Sequence, residues 1–262
     1  MKKSVYLIIA LAIAAMLVML SGCASSGNYT DEMKIPYKTD LSPDDGADSV
    51  EREGDHKDSA YFSTLDFYNM SDTASLTILE KFKTQQQTSE WSCGVTTALM
   101  TLEWYDKLDG HDELSLSEFR QPSEYGLPGG SNPSATNLQQ MVDIFEGVGG
   151  FDVYSTFDCV DDVYEVFTLE YIRETLADGN PVLVGWNDWG GHWQAIIGYD
   201  TMGTEFELDD VIIVADPYDT TDHNQDGYGV YGAERFIYNF TFYNFFADEE
   251  LNDMTFLVVT PK

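Results

Sequence analysis

Residues 87–108 have the sequence QTSEWSCGVTTALMTLEWYDKL, which combines a cysteine with a helical pattern. After Cys93, apolar side chains recur at steps of three and four residues, the spacing of one face of an α-helix. The recurring positions are Ala98, Leu99, Leu102, Tyr105 and Leu108. The pattern predicts a helix from Cys93 to about Leu108. Cys93 then lies at the helix N-terminus, where the helix dipole lowers the pKa of a thiol.

Two more helices and five strands are predicted downstream. Helical spacing covers residues 135–146, before Gly147, and residues 168–178, before Gly179. Apolar runs predict strands at Val182–Trp186, Gln194–Tyr199, Val211–Ala215, Arg235–Tyr238 and Phe256–Thr260. Because the helices precede the strands and short turns join several strands, the sequence predicts an α+β fold. We expect an N-terminal helical part, which carries the cysteine helix, packed on a C-terminal antiparallel sheet.

One of the four histidines is well placed to act with Cys93. His192 opens an apolar strand, so a rigid backbone could direct its imidazole across a cleft toward the thiol. His56 lies in a polar acidic segment, His111 follows shortly after the cysteine helix, and His223 lies in an Asp-rich loop. A histidine at this position is equally common as a structural residue, so His192 alone does not establish a catalytic site.

Two further residues fit a catalytic group. Asp216 directly follows the next strand, so neighbouring strands would hold its carboxylate against His192 and fix one imidazole tautomer. The alternative for Asp216 is an ordinary turn before a proline. Gln87 lies six residues before Cys93. At this spacing its amide could join the Cys93 backbone N–H around a developing oxyanion.

The N-terminus has the features of an export signal. Two lysines precede an apolar run from Val5 to Leu20, which ends at Leu20-Ser21-Gly22-Cys23. This tetrapeptide resembles the lipobox of bacterial lipoproteins, which implies a signal peptide over residues 1–22 and a lipid on Cys23. An uncleaved anchor is the alternative, although the run is shorter than the ~20 residues of a spanning helix. The resemblance implies a lipid-anchored protein on the outer face of the cytoplasmic membrane or at the cell surface.

Charge and composition divide the rest of the chain. Residues 23–60 are polar and acidic, so we expect a disordered tether there and one globular domain over residues 61–262. The net charge of −33 repels nucleic acid and anionic lipid head groups. We therefore expect membrane contact through the N-terminal lipid only. Cationic peptide substrates, a salty habitat and plain solubility are alternative reasons for this charge.

The chain has three cysteines, which limits its use of disulfides. Once Cys23 carries a lipid, Cys93 and Cys159 remain, and no disulfide framework can hold the domain together. A single bridge between these two is left open. No motif surrounds Cys159, so we expect it to be a small packing residue.

The motifs taken together resemble a known family. They are Gln87, Ser92-Cys93-Gly94, Gly191-His192-Trp193 with Ile197-Gly198-Tyr199-Asp200, and Asp216-Pro217. From about residue 75 to the C-terminus the chain resembles the bacteriocin-leader-processing, double-glycine-type cysteine peptidases and their stand-alone papain-like relatives. This resemblance implies that Cys93 is the nucleophile, His192 the base, Asp216 the orienting residue and Gln87 the oxyanion donor. It implies a peptide or protein substrate, and a peptidase of this kind requires no cofactor.

The resemblance leaves two alternatives and one departure. A papain-like fold could serve as a non-catalytic surface binding module, and relatives such as phytochelatin synthases transfer the acyl group to an amine. Val95 stands where many relatives have proline. The sequence has neither a Gly-x-x-x-x-Gly-Lys-Ser/Thr motif nor a second apolar span, so we do not expect a transporter-fused member.

One loop resembles half of a calcium site. Asp222-His223-Asn224-Gln225-Asp226-Gly227 has oxygen side chains at alternate positions and a glycine for the sharp turn. The second half does not match, because Ala233 stands where a bidentate glutamate belongs. Structural calcium bound by Asp222, Asn224 and Asp226 is one interpretation, and an acidic turn without an ion is the other.

Overall fold

The computed structural model describes residues 31–50, 60–124, 126–222, 224–240 and 254–262. The expected signal peptide and Cys23 lie outside these residues. Across the described ranges, the helices are all too short or too polar to cross a bilayer.

Seven strands within the described ranges form one sheet, with all pairs antiparallel. They are β1 (Leu76–Ile78), β2 (Phe151–Ser155), β3 (Val182–Trp186), β4 (His192–Asp200), β5 (Val211–Ala215), β6 (Tyr228–Gly232) and β7 (Thr255–Pro261). Their order across the sheet is β2-β7-β3-β4-β5-β6, and β1 pairs with the far end of β4. The long central strand β4 therefore connects both halves of the sheet.

Four of the six α-helices of the described ranges pack against this sheet. The six are α1 (Cys93–Trp104), α2 (Glu113–Ser117), α3 (Leu138–Val148), α4 (Val163–Val166), α5 (Leu169–Ala177) and α6 (Ala233–Phe240). Those that pack against the sheet are α1, α3, α5 and α6. Helix α1 contacts β4 as well as α2 and α3, and apolar residues from helices and sheet form one core. The predicted α+β fold, with the cysteine helix packed on an antiparallel sheet, is confirmed.

Local backbone chemistry fixes the helix ends that the periodicity left approximate. Helix α3 begins at Leu138 rather than residue 135, because the Asn137 side chain accepts a hydrogen bond from the Gln140 N–H at 3.0 Å and caps the helix. It continues past Gly147 and ends before Gly149, whose φ of 77° suits a glycine. Helix α1 ends at Trp104, four residues earlier than expected.

The strand predicted at Arg235–Tyr238 is wrong, because this segment belongs to helix α6. Ala233, Phe236 and Phe240 lie three and four residues apart, and all three are buried. A short apolar run does not distinguish a strand from a helix, and here packing at helical spacing determines the outcome. The strands β1, β2 and β6 were not predicted.

The tether prediction is wrong for residues 31–50, named here the N-terminal arm. Met33 and Ile35 are buried in the core of the domain. The Ile35 N–H donates to the Thr84 carbonyl at 2.9 Å, and the Thr84 N–H donates to the Met33 carbonyl at 3.0 Å. The arm therefore folds onto the domain, whereas residues 23–30 and 51–59 of the expected tether lie outside the described residues.

Candidate active site

Cys93 is the first residue of α1, and close packing holds it against the start of β4. A Cβ on Gly94 would lie 2.8 Å from the Thr136 Cβ and 3.1 Å from Cδ1 of Trp193, so only glycine allows this approach. The Thr97 hydroxyl donates to the Trp193 carbonyl at 3.1 Å and ties the helix to the strand. The Cys93 side chain is consequently placed beside the first residue of β4, which is His192.

His192 and Asp216 are brought together by neighbouring strands. Strands β4 and β5 are antiparallel, and Asp216 directly follows β5. The His192 Nε2 lies 2.7 Å from the Asp216 Oδ1, and both residues are buried. Because Asp216 occupies Nε2, Nδ1 is the ring nitrogen that remains for Cys93.

The Asp216 carboxylate is held by two more donors. The Tyr218 N–H donates to Oδ1 at 2.7 Å, and the Gln194 amide donates to Oδ2 at 2.8 Å. The carbonyl oxygen of Gln194 accepts a hydrogen bond from the Trp186 indole at 2.8 Å, which fixes the orientation of the amide. The sequence interpretation missed Gln194, although residues i and i+2 of a strand share one face, and His192 is two residues away.

The electrostatics of Cys93 favour the thiolate. Burial alone would raise the pKa of the Cys93 thiol. A hydrogen bond to His192, the charge of His192, and backbone N–H groups of Trp193 and Gly94 outweigh burial, so the pKa is lowered. Burial opposes the charged form of His192, but the charge and hydrogen bond of Asp216, together with Cys93, raise its pKa to about 10. Both shifts favour a thiolate beside an imidazolium over a neutral pair.

Gln87 lies in the same cleft as Cys93. Its side chain is buried, and its amide nitrogen donates one hydrogen bond to the Ser89 carbonyl at 2.6 Å. A primary amide carries two donor hydrogens, so a second one is left for a ligand. The Gln87 N–H donates to the Pro217 carbonyl at 2.8 Å, which joins this segment to the Asp216 turn.

The N-terminal arm supports the segment that carries Gln87. The Asp48 N–H donates to the Gln87 carbonyl at 3.3 Å, and the Ser42 N–H donates to the Thr88 carbonyl at 3.1 Å. Gly46 packs so closely that a Cβ there would lie 2.6 Å from the Ser89 backbone nitrogen. The arm, which the sequence interpretation placed outside the domain, is part of the wall behind the cleft.

The cleft has a volume of about 230 Å³ and opens beside the thiol. It is lined by Gln87, Glu90, Cys93, Gly191, His192 and Tyr218. The structure thus brings the four predicted catalytic residues together, since three line the cleft and Asp216 lies directly behind His192. His111 is not part of this group, because its Nδ1 lies 3.3 Å from the Ser115 hydroxyl on α2.

A buried carboxyl that the sequence interpretation missed connects the Gln87 segment to the Cys93 segment. Glu113 accepts hydrogen bonds from the hydroxyls of Thr88 at 2.5 Å, Ser92 at 2.8 Å and Thr96 at 2.6 Å. The Thr88 N–H is a fourth donor at 3.2 Å. Thr88 follows Gln87 and Ser92 precedes Cys93, so Glu113 links the two residues expected to form the oxyanion site.

Cys159 lies apart from the cleft. Both Cys93 and Cys159 are free thiols, so the disulfide left open by the sequence is not formed. The Cys159 thiol is buried and donates to the Ser155 carbonyl at 3.8 Å. Burial raises the pKa of Cys159, in contrast to Cys93.

Several oxygens of the calcium-like loop accept hydrogen bonds from nearby protein groups, whereas the buried Asn224 Oδ1 has no hydrogen-bond partner among the residues that the structure describes. The Asp222 Oδ1 accepts from the Asn224 N–H at 2.9 Å, and the Asp226 Oδ1 accepts from the Tyr228 N–H at 3.0 Å. The Asn224 amide donates to the other Asp226 oxygen. Across the part of the chain that the structure describes, no group of three or more His, Cys, Asp or Glu side chains could hold a metal ion. Calcium binding here stays a prediction.

Comparison with known proteins gives a family match. A family model described as the Peptidase_C39 like family matches residues 79–241, which make up more than half of the chain. The matched range contains Gln87, Cys93, His192 and Asp216. No curated protein matches the chain.

Proposed function

Because this chain belongs to the peptidase C39-like family, we propose that it hydrolyses peptide or amide bonds through a Cys93-His192-Asp216 triad. The observation that supports the triad most strongly is the 2.7 Å contact between His192 Nε2 and Asp216 Oδ1, beside an open cleft that Cys93 and His192 line together. Membership of the family indicates a cysteine-peptidase-like function. The roles of the individual residues are our proposal.

The first half of the reaction forms an acyl-enzyme. The Cys93 thiolate attacks the carbonyl carbon, and the electron pair of the C=O bond moves to oxygen. The Cys93 backbone N–H and the second amide hydrogen of Gln87 donate to this oxyanion. His192 then gives its Nδ1 proton to the nitrogen of the leaving amine, the C–N bond breaks, and a thioester remains on Cys93.

The second half returns the enzyme to its starting state. Neutral His192 takes a proton from water, and the resulting hydroxide attacks the thioester carbon. The C–S bond breaks, which releases the acid and restores the thiolate beside the imidazolium. Throughout, Asp216 holds the imidazole through Nε2 and stabilises its charged form.

A matched pair of cysteine variants tests the proposal. Cys93→Ala should reduce hydrolysis of a mixed peptide library to the uncatalysed background, whereas Cys159→Ala should retain activity, because Cys159 lies apart from the cleft. Product masses with and without an added amine distinguish hydrolysis from acyl transfer. If Cys93→Ala cleaves as fast as the parent while both variants stay folded, the assignment of the nucleophile is wrong. If the parent forms no product in any of these assays, the protein is a non-catalytic binding module.

We also propose that the protein is exported and held at the membrane by a lipid on Cys23. This rests on the sequence of the N-terminus alone. Cys23→Ser should abolish incorporation of a labelled fatty acid into the protein and leave the signal peptide uncleaved. Equal labelling of the parent and the variant would contradict a lipid on Cys23.

A further inference from the structure

We infer that Glu90 makes the cleft selective for peptides with a lysine or arginine side chain next to the scissile bond. This inference rests on the proposed peptidase function and names the substrate class of the same site. It concerns a residue that the catalytic mechanism does not use, although Glu90 lines the cleft together with Cys93 and His192.

Groups from two segments, the N-terminal arm and the Tyr218 turn, hold Glu90 at the cleft rim. Its Oε1 accepts a hydrogen bond from the Tyr218 hydroxyl at 2.9 Å and from the Gly46 N–H at 3.3 Å. The Glu90 N–H donates to the Asp45 Oδ1 at 3.2 Å. The carboxylate is therefore ordered before a substrate arrives, which reduces the entropy that binding must remove.

The charge of Glu90 is available to a substrate. Among the described residues, no lysine or arginine forms an ion pair with it, and its side chain is exposed at the cleft. The residues of the proposed triad are buried, whereas Glu90 is an exposed charged residue of the cleft lining that a substrate meets at the rim. Burial raises the pKa of Tyr218 to about 12, and the hydrogen bond to Glu90 and the charges of Glu90 and Asp45 add to this shift. These groups create a negative potential on the side of the cleft facing Tyr218.

A basic side chain is the complement of this rim. A lysine or arginine beside the scissile bond can donate a charge-assisted hydrogen bond to Glu90. Because Glu90 is exposed at the cleft, we expect this bond to raise kcat/KM by no more than roughly tenfold. The net charge of −33 adds a long-range attraction for cationic peptides. Added salt weakens this attraction by screening.

Glu90→Gln tests the inference with little change in shape. The glutamine can still accept from the Tyr218 hydroxyl and the Gly46 N–H, so the rim should stay folded. The probes are two peptide series that differ in one residue next to the scissile bond, lysine in one and the uncharged, similarly sized norleucine in the other. We expect the parent to favour lysine by about tenfold in kcat/KM at low salt. In Glu90→Gln the ratio of the two values should fall severalfold, to the small preference that the net charge alone sustains. In Glu90→Lys, a third series with glutamate at this position should be cleaved faster than the lysine series.

Glu80→Gln is the matched control, since it removes the same charge from an exposed position. Glu80 lies just after β1, whose last residue pairs with Gly198 on β4. Gly198 is six residues from His192 along β4, which at about 3.3 Å per residue is roughly 20 Å. The control should keep the lysine-to-norleucine ratio of the parent. If the parent cleaves both series equally, or if Glu80→Gln changes the ratio as much as Glu90→Gln, the inference is wrong while the peptidase function stands. Cleavage that equals the Cys93→Ala background in every series contradicts the peptidase function itself.

Discussion

At the scale of single residues, the His192–Asp216 pair determines the pH range of activity. The pKa of His192 is raised from its ordinary 6.5 to about 10, and the pKa of Cys93 is lowered. The thiolate–imidazolium pair therefore persists at pH values between the pKa of Cys93 and the pKa of His192. The acid limb of kcat/KM should report loss of the thiolate, and the alkaline limb should report loss of the imidazolium proton. The parent should therefore keep its activity well above pH 7.

Asp216→Asn tests this account of the pH range. The amide keeps a hydrogen-bond acceptor but removes the negative charge that favours the imidazolium, so the pKa of His192 should fall. The alkaline limb of kcat/KM should then move to lower pH, and the maximum rate should decrease. A pH profile of kcat/KM for both proteins checks the prediction. An unchanged alkaline limb would mean that Asp216 does not tune His192.

Glu113 is predicted to position the two halves of the oxyanion site. Glu113→Ala would remove the buried acceptor that the hydroxyls of Thr88, Ser92 and Thr96 share. The Ser92 and Thr96 hydroxyls can still donate to backbone carbonyls, whereas an unsatisfied Thr88 hydroxyl costs about 1–3 kcal/mol. We expect kcat to fall by more than KM rises, because the donors to the transition state lose their alignment.

The conservative variant separates positioning from general destabilisation. Glu113→Gln keeps one oxygen acceptor and the side-chain volume, so it should recover most of the kcat that Glu113→Ala loses. Steady-state kinetics of both variants, each checked for folding by circular dichroism, provide the comparison. Equal kcat values for Glu113→Ala and the parent would contradict a positioning role.

At the scale of secondary-structure elements, the catalytic elements could be predicted because each carries a strong local signal. The apolar spacing after Cys93 gave α1, and uninterrupted apolar runs gave β3, β5 and most of β4. The order of these elements was also enough to place His192 beside Asp216.

The missed elements depend on partners that are distant in the sequence. Strand β2 places an aromatic tyrosine on its exposed face and a polar serine at a buried position, so its residue types do not alternate clearly between apolar and polar. Strand β6 contains two glycines, and β1 has only three residues. Glu113 and Gln194 were missed for the same reason, since their roles come from hydrogen-bond partners on other segments. Met33 and Ile35 are too few to mark a folded segment by composition, yet both are buried through pairing with Thr84.

The N-terminal arm is predicted to stabilise the domain. Met33 is 1% exposed, so Met33→Ala should lower the free energy of unfolding by roughly 2–5 kcal/mol through lost burial and a cavity. Leu208→Ala is the control, because Leu208 is 61% exposed and its truncation should change stability very little. Urea unfolding of the two variants provides the measurement. A loss no larger than that of Leu208→Ala would mean that the arm does not pack on the domain in solution.

At the scale of the whole molecule, the active site lies where the two parts of the fold meet. Helix α1 supplies the thiol, whereas β4 and the end of β5 supply His192 and Asp216. Packing of α1 on β4 through the contact between Gly94 and Trp193 therefore sets the distance between nucleophile and base. The site forms only when the domain is folded.

Mass spectrometry of the protein after reaction with a peptide chloromethyl ketone tests the central claim most directly. This reagent alkylates the thiolate that lies in a substrate-binding cleft, so the account predicts one adduct on Cys93 at neutral pH. Cys159 should remain unmodified, because it lies outside the cleft and burial raises its pKa. Unfolding the protein beforehand should remove this selectivity between the two thiols. Equal labelling of the two cysteines in the folded protein, or labelling of Cys159 alone, would contradict Cys93 as the nucleophile.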